Sequence, residues 1–138
     1  MSSLRPLRLA VASLSGCLLP AAAPPAYPPR TLIVFVASWC APCRVELRQI
    51  EAIATIAAPI EVRVTPVDRS SGTEAMLRDI SAARVWRSAR ALNTFAQNNG
   101  SLPFNLMTDT TGRPCATYDR ALDPAAVLIM RRRCDGVS

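Results

Sequence analysis

Histidine and lysine are both missing from this chain: all 16 basic residues are arginine. Without histidine there is no Ser-His-Asp or Cys-His pair, no imidazole general base, and no histidine-ligated zinc, copper or haem. Without lysine there is neither a P-loop nor an amine for Schiff-base chemistry. A net charge of +6 invites a nucleic-acid reading, so the placement of the arginines matters. Arg5 and Arg8 fall in the leader pattern described below, and the one dense run, Arg131-Arg132-Arg133, points around a helix rather than to one face. No aromatic residues interleave with it, so it reads as a solvated last helical turn that complements the helix dipole, and no nucleic-acid partner is expected. With 138 residues, half of them hydrophobic, the chain suffices for one domain around a single core.

What is present begins with an export pattern. Residues 1–8 carry two arginines and no acid, residues 9–23 are small and apolar, and Ala21-Ala22-Ala23 closes the run. That is the layout of a secretory signal peptide. The apolar part is shorter than the roughly 20 residues needed to span a bilayer and contains Gly16 and Pro20, which argues against a transmembrane helix. Leu14-Ser15-Gly16-Cys17 also resembles a bacterial lipobox, in which the cysteine is lipid-modified. Two readings therefore stand for residues 1–23: a cleaved signal peptide, or a lipoprotein signal whose anchor at Cys17 is the only link to a membrane. Pro24, Pro25, Pro28 and Pro29 make residues 24–30 an extended linker. The expected location is exported, in a periplasm-like space.

The chemistry lies in Trp39-Cys40-Ala41-Pro42-Cys43-Arg44. The pair follows the apolar run 31–36, expected as a strand covered on both faces, and precedes a segment of helical periodicity through Ala57. A strand that delivers cysteines to the first turn of a helix sets the first thiol over unpaired N–H groups and the positive dipole end, which favours the thiolate. Pro42 at the helix start loses no hydrogen bond. In an oxidising compartment the remaining Cys115 and Cys134 are expected as a structural disulfide, the alternative being two buried free thiols.

The rest of the chain supplies alternating elements. Residues 61–67 read as a second strand, and residues 73–98 as a helical stretch whose two apolar stripes are out of phase, requiring a kink or two helices joined near 81–84. A strand from Leu102, a turn over 109–112 and a strand over 113–118 follow, and Asp123-Pro124 opens a last helix as N-cap and first position. The order is β-α-β-α-β-β-α.

With Trp-Cys-x-Pro-Cys between its first strand and helix, the chain resembles the thioredoxin superfamily over residues 31–134. Cys40-Ala41-Pro42-Cys43-Arg44-Val45-Glu46 further resembles the exported TlpA/ResA-like thiol–disulfide oxidoreductases. The resemblance implies an α/β thioredoxin-like domain over 31–138, with a central mixed four-stranded sheet flanked by helices. It implies a cis Leu102–Pro103 bond beside the cysteines, with the backbone of Leu102 offered to an extended substrate. The chain departs from the pattern at Val34, where thioredoxin keeps a buried acid, and at Arg48, where the family has a proline.

These residues point to a thiol–disulfide oxidoreductase needing no cofactor and no metal. Cys40 would attack a substrate disulfide and Cys43 would resolve the mixed disulfide, with Glu46 taking the proton; the alternative for Glu46 is a solvated helix position. Trp39 and Pro42 would shape access together with Leu102 and Pro103. Kinship implies a reductase of protein disulfides fed by a membrane thiol electron donor. The alternatives are a disulfide oxidase or isomerase, or a copper(I)-binding module built on the same soft thiolates.

Overall fold

The structure, a computed structural model, describes residues 27–136. The expected leader, Cys17 and residues 24–26 of the expected linker lie outside them. The described elements are β1 (Thr31–Val36), α1 (Ala41–Arg48), α2 (Ile50–Ala57), β2 (Glu61–Pro66), α3 (Ser71–Leu77), α4 (Ala89–Gln97), β3 (Phe104–Thr108), β4 (Pro114–Tyr118) and α5 (Pro124–Asp135). The sheet runs β2-β1-β3-β4, with β1 parallel to β2 and antiparallel to β3, and β3 antiparallel to β4. This is the α/β layout expected from the sequence, a mixed four-stranded sheet between helices.

All six residues of β1 are buried, which explains its unbroken apolar run. Leu32, Val34 and Val36 belong to one core, shared with Leu47, Ile50 and Ile53 of α1 and α2 and with Val127 and Met130 of α5. Ile33 and Phe35 belong to the other, with Ala91 of α4, Phe104 and Leu106 of β3, and the partly buried Phe95. Alternate β1 residues thus serve opposite faces of the sheet.

Three local features differ from the periodic reading. The first helical segment is two helices, because the N–H of Gln49 bonds the carbonyl of Glu46 at 2.9 Å, a three-residue closure that ends α1. In the 73–98 stretch Val85 is not helical: it bridges Val64 of β2, with Val64 N–H on Arg84 O and Trp86 N–H on Val64 O, both 2.8 Å. An extended segment between α3 and α4 removes any need for their stripes to agree in phase. Finally, the packed body starts before residue 31. Tyr27 is buried, its ring 6.2 Å from that of Trp86 and its hydroxyl hydrogen-bonded to Thr94 of α4.

Turn chemistry matches its residues. Asp109 Oδ1 accepts the N–H groups of Thr111 and Arg113, and Gly112 takes a left-handed φ of 77° between β3 and β4. Asp123 caps α5 by accepting from Ala126 N–H at 2.7 Å.

Candidate active site

Parallel pairing of β1 with β2 and antiparallel pairing with β3 bring three segments to one end of the sheet: the loop after Val36, the loop after Pro66 and the entry to β3. Phe104 stands opposite Phe35, so Pro103 and Leu102 lie beside the exit of β1. The Leu102–Pro103 bond is cis, as is Ala58–Pro59 at the end of α2.

The loop into the cysteines is held from α3. Ser38 N–H donates to Thr73 Oγ1 at 2.9 Å, and Cys40 N–H donates to Ala37 O at 3.1 Å. Trp39 leaves its ring 63% exposed while its indole N–H donates to Asp68 Oδ2 at 2.9 Å. Hydrogen bonds from Thr73, then from Ser70 and Trp39, hold the Asp68 carboxyl below its ordinary range. The side chain beside the cysteines is therefore oriented by a charged acceptor.

Cys40 is the N-cap of α1, and its sulfur accepts the N–H of Cys43 at 3.3 Å. The two sulfurs are bonded at 2.04 Å. No acidic residue occupies the first turn of α1, whose positive end faces Cys40. Cys43 is fully buried, Cys40 is 4% exposed, and Pro42 is on the surface. An N-cap sulfur supported by a backbone N–H is suited to leave, or to attack, as a thiolate.

Glu46 is buried at 1% exposure, against the alternative of a solvated helix position. Its Oε1 accepts from Leu122 N–H at 2.6 Å and from Asn105 Nδ2 at 3.1 Å. Burial raises its carboxyl from the ordinary 4.5 to about 7, with those two hydrogen bonds opposing the rise. A carboxyl poised there exchanges protons near neutral pH.

The structure thus gathers Trp39, Cys40, Pro42, Cys43 and Glu46 on one loop and helix, with Leu102 and Pro103 at the neighbouring strand entry. Cys115 and Cys134 are elsewhere: they are bonded to each other, join β4 to α5, and lie toward the end of the sheet where β1 begins. Among the described residues no group of three His, Cys, Asp or Glu side chains is placed to hold a metal ion, and no helix is long and apolar enough to cross a membrane.

Sequence reasoning missed Asn105, the Leu122 amide, Asp68 and Thr73. Asn105 did leave a signal. It is the lone amide in the otherwise apolar run from Phe104 to Met107.

Comparison with solved structures places this geometry among known folds. StoA from Bacillus subtilis aligns over 73% of this chain and 81% of its own, at 14% identity and a TM-score of 0.54. The exposed lipoprotein thioredoxin of Streptococcus pneumoniae aligns over 74% and 83%, at 19% identity and 0.56. The thioredoxin domain of a thiol-disulfide oxidoreductase from Bacteroides vulgatus aligns over 73% and 76%, at 13% identity and 0.53. No protein-family model and no curated protein sequence matches the chain. The chain has the thioredoxin-like fold. Its Cys40–Cys43 pair occupies the turn between the first strand and first helix of that fold.

Proposed function

We propose that this chain is an exported thiol–disulfide oxidoreductase that reduces protein disulfides through Cys40 and Cys43. The observation that carries the reading is Cys40 at the N-cap of α1, its sulfur bonded to Cys43 and supported by the Cys43 N–H. In the dithiol form, the Cys40 thiolate attacks one sulfur of a substrate disulfide, forming a mixed disulfide as the first substrate thiolate leaves. Cys43 then gives its proton to the Glu46 carboxylate and attacks the Cys40 sulfur. The second substrate thiolate departs and the Cys40–Cys43 disulfide is restored, two electrons having passed to the substrate. A membrane thiol donor returns the pair to the dithiol.

Leu102 and Pro103, beside the exit of β1, suit an extended substrate segment lying across the cysteines, with Trp39 and Pro42 bordering the approach. The apolar leader supports export, and the lipobox-like Leu14–Cys17 supports a lipid anchor at Cys17. An exposed lipoprotein among the proteins of similar fold is in keeping with both.

Reduction of insulin by the dithiol protein tests the reading. Insulin chains should separate with the native protein and remain joined with Cys40→Ser. Activity retained in Cys40→Ser would refute the assignment. An equilibrium potential for the Cys40/Cys43 couple above that of glutathione would turn the direction toward oxidation, and tight copper(I) binding by the dithiol protein without insulin reduction would favour the metal-binding alternative.

A further inference from the structure

Resting on the proton-transfer role just proposed for Glu46, we infer that Asn105 is a positioning residue that sets the proton affinity of that carboxyl by donating a hydrogen bond to its ionised form. Asn105 lies on β3 opposite Val34 of β1, the position at which the chain lacks the acid of thioredoxin. Its side chain is fully buried. Nδ2 donates to Glu46 Oε1 and to Arg120 O, each at 3.1 Å, which fixes the orientation of the amide.

The informative atoms are the ones left over. Glu46 Oε2 and Asn105 Oδ1 are both buried, and neither has a hydrogen-bond partner among the described residues. They belong to the two side chains already joined through Oε1 and Nδ2. Two buried acceptors without donors are costly, and a proton on Oε2 removes one of them, which is how burial favours the acid. The amide donates through Nδ2 to the carboxylate, and that bond opposes the burial that favours the acid.

Among the described residues no charged side chain competes for control of the site. The groups that bear on Glu46 are its burial, the Leu122 N–H and the Asn105 amide. On α1 the titratable neighbour is Cys43 of the dithiol form, while Arg44 and Arg48 are exposed. β1 contributes apolar Val34, and Asp119, Arg120 and Asp123 of the segment leading into α5 have exposed side chains.

The test follows the Glu46 carboxyl by carbon NMR in the Cys40–Cys43 disulfide form, where no thiol titration couples to it. Asn105→Leu should raise the midpoint by about one pH unit, a tenfold loss of ionised fraction below the midpoint. Asn105→Val, a better strand former, serves as a second apolar variant with the same expectation. Asn105→Thr, of the same shape as valine but with a hydroxyl, should return the midpoint toward the native value. A midpoint unchanged in the apolar variants, or raised equally in Val and Thr, overturns the inference. Failure of the underlying role shows separately: if Glu46→Gln leaves the pH profile of insulin reduction unchanged, Glu46 moves no proton in catalysis, while the carboxyl titration still decides what Asn105 does.

Discussion

Glu46 and Asn105, 59 residues apart in the chain, meet through a 3.1 Å hydrogen bond with both side chains buried. The contact ties the helix that carries the cysteines to the middle of the sheet. It also puts an ionisable group where water cannot solvate it.

That burial makes stability depend on pH. The folded carboxyl binds its proton up to about 7, whereas in the unfolded chain it is lost near the ordinary 4.5. Between those values the folded state holds more protons than the unfolded state, so stability falls as pH rises from about 4.5 to about 7 and is level above. The loss from this one group is about 3 kcal/mol. Glu46→Gln should remove it, so urea unfolding at pH 4 and pH 8 should differ less in the variant than in the native protein by about that amount. An identical pH dependence in the two proteins would mean that Glu46 is not buried as described.

Cys115 and Cys134, 19 positions apart in the chain, bridge β4 and α5, and the segment they enclose includes Leu122, whose N–H bonds Glu46. Loop-closure entropy assigns such a bridge about 3 kcal/mol. Replacing both cysteines with serine should lower stability by about that amount while insulin reduction by the folded protein persists, as read by denaturant titration and the insulin assay together. Loss of activity in a variant that remains folded would give the bridge a part in the exchange itself.

Gly72, in the first turn of α3, packs against the loop before Cys40. A Cβ added there would lie 2.8 Å from Ser38 Oγ and 3.1 Å from Ser38 Cβ. Ser38 is in turn held by Thr73, its N–H on the threonine hydroxyl. Gly72→Ala should displace Ser38, cost about 1 kcal/mol in thermal or urea unfolding, and slow insulin reduction. Adding Ser38→Gly removes the clashing atoms and should restore part of the loss. Unaltered stability and rate in Gly72→Ala would show that the loop is not held from α3.

Much of the fold was legible because it is written in local chemistry. The apolar run of β1 names a strand buried on both faces, and Asp123-Pro124 names the start of α5. The Cys-x-x-Cys pair marked a strand-to-helix turn, and the structure places it there. What stayed hidden depends on contacts between distant segments. Periodicity carried one helix through Gln49, where a local backbone bond ends it, and could not show that Val85 pairs with Val64 across the edge of β2. Tyr27 lies in a proline-rich stretch that reads as linker, yet its ring finds Trp86 and its hydroxyl finds Thr94. Whether Glu46 was solvated or buried could not be read from α1 alone, because the groups that enclose it come from β3 and the entry to α5.

The most direct test of Cys40 as attacking sulfur and Cys43 as resolving sulfur is to trap the intermediate. Cys43→Ser protein, incubated with insulin and digested without reduction, should yield by mass spectrometry a mixed disulfide between Cys40 and an insulin cysteine. A substrate linked instead to Cys115 or Cys134, or no linked substrate at all while the native protein reduces insulin, would contradict the mechanism.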